Sequence, residues 1–361
     1  MSMTMKLSLA AALALTSLPV LAQDAAGTVE FLGDITLPTG LLIEGQEFGG
    51  ISGLDYDAAA NRYFAISDDR SQKAPARFYE LKLGIDAEGV HTLDIVKQVA
   101  LRQASGDVFP DSGVDPEAIR YAAARNTIIW SSEGDLAGKP GIFESALDGT
   151  YLRAFAVPAY YTPDAEGTVG VYGNLAFESL ALSADGATLY AMTENALAQD
   201  GAKATLDAGS PSRLIAFDVK SGEPTAEYIY ETDAIFTPAT AEPPYNDNGV
   251  SDMMALEDGR FIMVERSFAA GIGNQISFYV VSLDGATDIN GQEKADEAAT
   301  ALTKTALFTI GEGDFDLDID NVEDITFGPE IDGEKTIVVA SDNNFSASQF
   351  TQFVAFKLTL N

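Results

Sequence analysis

Residues 177–195 read FESLALSADGATLYAMTEN and contain two short apolar runs separated by a turn. The dipeptide Asp185-Gly186 between two such runs is a strong local signal for a β-hairpin. Glu178 opens the first run, and Glu194 closes the second. Because the start of one antiparallel strand faces the end of the other, we predict both carboxylates at the open end of the hairpin.

The same unit recurs along the chain with different apolar residues. The runs EAIRYA and TIIWSSE, DMMALE and RFIMVE, and EDITFG and TIVVASD repeat the pattern. A repeat of roughly 60–75 residues with four strands is typical of a β-propeller. We therefore predict an all-β propeller of five four-stranded blades, with a sixth blade in the irregular stretches as the alternative. The last repeat is one strand short, and residues 29–38 are predicted to supply that strand and close the ring.

The first residues of the chain have the pattern of a secretory signal peptide. Lys6 is followed by a mostly apolar stretch over residues 7–21, and Ala22 is the small residue expected before a cleavage site. We expect a signal peptide over residues 1–22 and a single propeller domain over residues 23–361. The apolar stretch is short for a membrane helix, so no span is expected after cleavage. The predicted protein is a monomer in the periplasm or outside the cell.

Composition excludes several functions. The chain has no Cys, a single His and a formal net charge of −34. Thiol chemistry and multi-histidine zinc sites are therefore excluded, and a Ser-His-acid triad would have to use His91, which lies in the strand-like run HTLDIV. The negative charge would repel nucleic acid. Divalent cations are the natural counter-charge.

Aligning the repeats places an acidic residue at each end of almost every hairpin. The opening positions hold Ser52, Glu117, Glu178, Asp252 and Glu323, and the closing positions hold Asp68, Glu133, Glu194, Glu265 and Asp342. Inner strands line the channel of a propeller, so these carboxylates are predicted to converge at one mouth of it. Like charges gathered there repel unless a cation or a proton intervenes. Oxygen ligands alone favour Ca²⁺, whereas hydrogen bonds to loop N–H groups are the purely structural alternative.

Residues 314–320 form a second candidate cation site. Aspartate alternates there with Phe315, Leu317 and Ile319, so the carboxylates of an extended chain would share one side. The run lacks the glycine and the terminal glutamate of an EF-hand loop. A solvated strand edge is the alternative.

Four arginines lie near the predicted mouth. Arg77 and Arg213 begin third strands, and Arg70 and Arg266 directly follow closing acids. They either neutralise neighbouring carboxylates or form a fork that receives a phosphate or carboxylate group.

Several motifs together resemble the phytase-like family of exported bacterial proteins, described by "esterase-like activity of phytase". They are GISGLDYD with YFAISDDR, DPEAIRY with IIWSSEG, FESLALSADGATLYAMTEN, GVSDMMAL with FIMVER, and NVEDITFG with VVASDNN. The resemblance spans nearly the whole mature chain and implies a calcium-assisted phosphoric ester hydrolase. Two departures are Ser52 in place of an acid and NVED in place of NxEG. The lysines that crowd phytase pockets are not evident, which argues against phytate itself.

The resemblance also implies roles for individual residues. Glu194 and Glu265 are the predicted bases, and Arg77, Arg213 and Arg266 are predicted to hold the phosphate of a small anionic ester. The predicted Ca²⁺ ligands are Asp68, Glu117, Glu133, Glu178, Glu323 and Asp342.

Two other functions remain open. A calcium-dependent lactonase or carboxylesterase would use the same metal with Asn195, Asn343 and Asn344. A non-catalytic, calcium-stabilised binding propeller could stack sugars on Tyr160, Tyr161, Tyr172 and Tyr245.

Overall fold

The computed structural model describes residues 25–361, so the predicted signal peptide over residues 1–22 lies outside the described residues. The described chain begins with β1 (Gly27–Pro38) and a short hairpin of β2 (Leu42–Ile43) and β3 (Gln46–Glu47). Blade 1 contains β4 (Ile51–Asp57), β5 (Arg62–Ser67), β6 (Arg77–Asp86) and β7 (Gly89–Ala100). Blade 2 contains β8 (Pro116–Ala122), β9 (Thr127–Ser132), β10 (Gly141–Ala146) and β11 (Tyr151–Ala154).

The remaining blades repeat this arrangement. Blade 3 contains β12 (Phe177–Leu182), β13 (Thr188–Ala196), β14 (Pro211–Asp218) and β15 (Pro224–Glu231). Blade 4 contains β16 (Asn246–Ala255), β17 (Phe261–Ala269), β18 (Gly273–Ser282) and β19 (Thr303–Gly311). Blade 5 contains β20 (Asn321–Phe327), β21 (Lys335–Asp342), β22 (Phe350–Leu360) and the N-terminal β1. Short 3₁₀ turns occur at Ala159–Tyr161 and Asp314–Asp316.

The ring is closed by pairing of the first and last strands. β1 runs antiparallel to β22 from the pair Gly27 and Leu360 to the pair Pro38 and Phe350. This pairing covers an edge that would otherwise expose unpaired backbone groups. The predicted five-bladed β-propeller and its closure by the N-terminal strand are both confirmed.

The apolar core consists of five clusters, one between each pair of neighbouring blades. Blade strands are therefore covered on both faces, which explains continuous apolar runs such as TIIWSS of β9, where all six residues are buried. Fully burying one large apolar side chain contributes about 1.5–3 kcal/mol relative to leaving it exposed. The clusters hold the blades rigidly around the channel.

The first strand of each blade lies innermost, because β4 contacts both β8 and β20, and β12 contacts both β8 and β16. All five inner strands have a register shift at the same place, which marks a β-bulge. A bulge adds one residue to a strand and changes the direction of its side chain. The residues at the five bulges are Ser52, Glu117, Glu178, Ser251 and Glu323.

Candidate functional site

The bulges define which residues are equivalent at the mouth of the channel. In each blade, one residue pair joins the inner strand to the second strand just before the bulge. The residue that follows the second-strand member of this pair lies at the open end of the hairpin. These residues are Asp68, Glu133, Glu194, Arg266 and Asp342. Four of the five positions are acidic. Blade 4 instead has Ser251 in the bulge and Arg266 opposite, so it carries a cation where the other blades carry an acid.

This register corrects two of the expected ring positions. Asp252 and Glu265 each lie one residue away from the equivalent positions in blade 4. A shift of one residue turns a strand side chain to the opposite face. Asp252 accepts hydrogen bonds from Arg120 Nη2 at 2.6 and 2.8 Å, within the ring of inner strands.

The contacts of Glu265 indicate a structural role. It accepts hydrogen bonds from the Tyr230 hydroxyl at 2.6 Å, the Asp233 N–H at 2.7 Å and Lys304 Nζ at 2.7 Å. It does not line the central cavity. The structure therefore does not bring it together with Glu194, the other predicted base.

A cavity of about 910 Å³ lies over the channel mouth, and we call it the central cavity. Its floor includes the bulge acids Glu117, Glu178 and Glu323, together with Glu194 and Arg266. Its walls come from loops between and within blades and from the start of β16. They include Tyr172, Asn174, Lys203, Tyr245, Asp247, Asp320 and Asn344. Rigid inner strands thus position the charged floor, and loops shape the entrance.

Two triads of carboxylates meet at this mouth. One consists of Asp115, Glu117 and Glu133, and the other consists of Glu133, Glu178 and Glu194. In each triad, one carboxylate oxygen from every residue lies within 4.8 Å of the others. Glu133 belongs to both triads. It therefore links blade 2 to blade 3 at the centre of the acidic site.

Asp115 was not among the residues predicted from the repeats. It lies just before β8, in the sequence Asp115-Pro116-Glu117. Residues two apart on an extended chain face the same side. The spacing of Asp115 and Glu117 could have indicated that Asp115 also faces the mouth. The other opening positions have no acid two residues earlier, so the alignment of the repeats did not indicate Asp115.

Two glycines make room for the mouth carboxylates. Gly50 has φ of +63°, and a Cβ there would collide with Asp68 Oδ1. A Cβ on Gly249 would lie only 2.7 Å from Glu194 Oε1. The approach of these backbone segments to the acids therefore requires glycine, and at Gly50 the conformation favours it as well.

Burial dominates the proton affinity of these groups. It raises the pKa of Glu194 to about 8, although the Arg266 charge acts in the opposite direction. It raises the pKa of Asp68 to about 7, with Glu323 adding repulsion. The pKa of Asp115 rises to about 6 because burial outweighs the nearby Arg70.

The three remaining members of the triads behave in the same way. Burial, reinforced by neighbouring carboxylates, raises the pKa values of Glu117, Glu133 and Glu178 well above the usual range. Without a counter-charge, these groups therefore favour their neutral, protonated forms.

Several buried carboxylate oxygens at the mouth have no hydrogen-bond partner among residues 25–361. These atoms are Asp68 Oδ1, Glu133 Oε2 and both oxygens of Asp342. Leaving a buried acceptor unpaired costs about 1–3 kcal/mol, and more for a charged group. Ca²⁺ takes six to eight oxygen ligands, so the donor set of this site fits a hard divalent cation.

The predicted metal ligands occupy different places in this arrangement. Glu117, Glu133 and Glu178 belong to the triads, and Asp68 and Glu323 line the central cavity. Asp342 is buried beside Asp68 and Glu323, whose charges help burial to raise its pKa.

Only one of the three predicted phosphate-binding arginines lines the central cavity. Arg266 donates to Glu323 Oε1, and its Nη2 lies 3.7 Å from Glu194 Oε1. Its guanidinium therefore lies between Glu194 of the second triad and Glu323 of blade 5.

Arg77 and Arg213 are buried in structural ion pairs instead. Arg77 Nη1 lies 2.6 Å from Asp69 Oδ2, and Arg213 Nε lies 2.6 Å from Asp200 Oδ2. Arg213 also pairs with Glu227 at 3.0 Å. Both arginines are on third strands, about 10 Å from the inner strand at the usual strand spacing. Arg70, by contrast, donates from Nε to Asp115 at 2.7 Å and neutralises part of the first triad.

The other expected sites are distributed as follows. Within residues 314–320, Asp314 accepts a hydrogen bond from the Gly311 N–H and Asp320 accepts one from the Phe350 N–H, so both stabilise loops. His91 pairs with Asp86 beside the β6–β7 turn, far along the sheet from the mouth.

The tyrosines divide into two groups. The hydroxyls of Tyr160 and Tyr161 both donate to the buried Glu227, so these residues serve packing. Tyr172 and Tyr245 line the central cavity.

The family model described as "Phytase-like: Esterase-like activity of phytase" matches residues 46–345. The chain therefore belongs to the phytase-like family, as its motifs indicated. Family and fold support a hydrolase-type function, and the family suggests a phosphate ester as substrate. The chain has no match among the curated proteins compared with it. Within residues 25–361, no helix is long and apolar enough to cross a membrane.

We expect the metal-free protein to lose stability as pH rises from about 5 to 8. The pKa values of Glu194 and Asp68 in the folded protein, about 8 and about 7, exceed the usual range. At these two groups the folded state therefore binds more protons than the unfolded chain, so the stability that they contribute is present at low pH and is lost as pH rises through these values. Thermal unfolding in chelator measures this, and excess Ca²⁺ should reduce the decline. A melting temperature that rises with pH in chelator would contradict the account.

We expect Glu133→Gln to weaken calcium binding far more than Glu265→Gln. Glu133 contributes to both triads, whereas Glu265 binds Tyr230 and Lys304 on the opposite face. Calorimetric titration of chelator-treated protein should show at least a tenfold loss of affinity for the first variant, equivalent to about 1.4 kcal/mol. The second variant is the matched control. Equal losses of calcium affinity in both variants would show that Glu133 is not a ligand of the cation.

Proposed function

We propose that this protein is an exported, calcium-dependent phosphoric ester hydrolase that acts at the mouth of the propeller channel. One observation carries the proposal: Glu117, Glu178 and Glu194 of the two carboxylate triads line the same cavity as Arg266. The triads offer a site for a hard cation, and the guanidinium offers donors that match phosphate oxygens. A phosphate ester is the substrate that would use both at once.

The triads would hold the cation through Asp115, Glu117, Glu133 and Glu178. Bound there, Ca²⁺ would offset the charge of the ester and make a water molecule more acidic. Arg70, which donates to Asp115, would hold that carboxylate in position. This arrangement also supplies the partner that Glu133 Oε2 lacks among the described protein atoms.

Arg266 would bind the phosphate. Its guanidinium is held between Glu194 and Glu323, so it is oriented before the substrate arrives. A planar guanidinium can donate two parallel hydrogen bonds to phosphate oxygens.

Glu194 would act as the general base. It belongs to the second triad and lies beside Arg266, between the cation-binding acids and the anion-binding group. Burial raises its pKa to about 8 in the metal-free protein. A cation bound by the neighbouring acids would favour its ionised form, which is the form that takes a proton from water. The oxygen of that water forms a bond to phosphorus as its proton passes to Glu194, and the bond from phosphorus to the ester oxygen breaks. The departing oxygen takes a proton from solvent and leaves as the alcohol, and Glu194 gives its proton back to solvent.

Export is supported by the sequence of residues 1–22, with Lys6, an apolar stretch and a small residue at Ala22. We place the protein in the periplasm or outside the cell, where calcium is available, and expect it to act as a monomer.

The proposal predicts calcium-dependent hydrolysis of phosphate esters. After chelation, a panel of phosphate monoesters, phosphate diesters, lactones and carboxylic esters should show turnover of phosphate esters only when Ca²⁺ is restored.

Glu194→Gln should lower kcat about 10²–10⁴-fold, because it removes the base. Arg266→Gln should raise KM, because it removes phosphate contacts.

Arg260→Gln is the matched control for the arginine. Arg260 is exposed in part and pairs with Asp258 in a turn away from the central cavity. It should behave as the wild type. Turnover of lactones alone, or full activity of Glu194→Gln, would overturn the proposal.

A further inference from the structure

The blade-4 wall of the central cavity changes from charged to aromatic towards solvent. Arg266 and Phe268 are two residues apart on β17, so their side chains point to the same face, about 7 Å apart along the strand. Both line the central cavity. A group bound to Arg266 would therefore have Phe268 beside its outer part.

A second ring completes this wall. The centroid of the Tyr245 ring lies 6.1 Å from that of Phe268, at an interplanar angle of 45°. Tyr245 is 58% exposed although it is a large aromatic residue. Its hydroxyl donates to Asp247, which restrains the ring at the cavity edge. Tyr245 and Phe268 thus present apolar ring surface to the cavity, and we call them the aromatic pair.

The wall from the neighbouring blade 3 is also partly apolar. Tyr172 and Leu175, from the connection before β12, line the central cavity on the blade-3 side. The Tyr172 hydroxyl donates to the Gly201 carbonyl oxygen at 2.9 Å, which fixes the ring. The entrance therefore has ring surfaces on two sides, whereas the floor is charged.

The charges of the cavity limit how many phosphates a substrate can carry. Seven carboxylates line it, against the two cationic side chains of Lys203 and Arg266. Arg266 is already engaged with Glu194 and Glu323. A second phosphate would have only Lys203 to receive it among seven carboxylates, and further phosphates would have no cationic side chain of the cavity lining left, so a substrate with many phosphates is disfavoured.

We propose that the substrate is an ester of a single phosphate group whose alcohol part carries an aromatic ring. The phosphate lies at Arg266, and the ring packs against Phe268 and Tyr245. Hydrolysis consumes one water and releases phosphate and the aromatic alcohol. This inference rests on the proposed hydrolase function and names its substrate class.

Binding of two non-hydrolysable probes tests it directly. Benzylphosphonate and butylphosphonate carry the same anionic group, and only the first has a ring. In the presence of Ca²⁺, calorimetry should show tighter binding of benzylphosphonate to the full-length mature protein. Phe268→Leu and Tyr245→Leu should each reduce the ratio of the two affinities up to about tenfold, because packing of the ligand ring on an aromatic side chain is lost.

Phe315→Leu is the matched control, because Phe315 is 44% exposed and stacks on Phe31 outside the central cavity. It should keep the wild-type ratio. Equal affinity for the two probes, or a ratio unchanged in both cavity variants, would overturn the inference.

Enzyme assays separate this inference from the proposed function. Hydrolysis of benzyl phosphate with a lower KM than butyl phosphate supports both. Equal KM values for the two esters overturn the aromatic preference and leave the hydrolase intact. Faster turnover of an inositol polyphosphate than of either ester would also overturn the inference. No turnover of any phosphate ester would overturn the proposed function, while the phosphonate titrations would still decide whether the aromatic pair binds a ring.

Discussion

The repulsion among buried carboxylates is the constraint on which the site depends. Eight acids are buried or half-buried at one mouth, namely Asp68, Asp115, Glu117, Glu133, Glu178, Glu194, Glu323 and Asp342. In the described part of the chain, Arg70 and Arg266 are the cationic side chains that form ion pairs with members of this set. Ionised carboxylates at this density need further positive charge or protons. Both the raised pKa values and the proposed cation follow from this imbalance.

A repeated backbone feature creates that crowding. Each inner strand has a bulge at the same height, and the bulge directs one side chain per blade to the mouth. Four blades have an acid in the bulge, at the open end of the second strand, or at both positions. Blade 4 places Ser251 and Arg266, and Phe268 follows on the same face. Because blade 4 differs from the other blades in these residues, the part of the acidic ring that it forms can bind an anion with an aromatic group.

Much of the fold was predictable because each hairpin is local. Asp-Gly and similar turns marked the blades, and the incomplete last repeat indicated closure by the first strand. The triad acids Glu117, Glu133 and Glu178 were also predictable. Register was not, because a bulge adds a residue without a sequence signal, and so Asp252 and Glu265 were placed one residue from the true positions. The partners of Arg77 and Arg213 lie in loops, and such contacts are invisible in repeat spacing.

The most direct test of the cation site is a crystal structure of chelator-treated protein after soaking in Mn²⁺ or Ca²⁺, with anomalous scattering used to locate Mn²⁺. The account predicts a cation in contact with Glu133 and with acids of at least one triad, with Ca²⁺–oxygen distances of about 2.3–2.6 Å. A mouth without a cation, in which neighbouring carboxyl groups share protons through short hydrogen bonds, would contradict it. A cation bound only at residues 314–320 would contradict it equally.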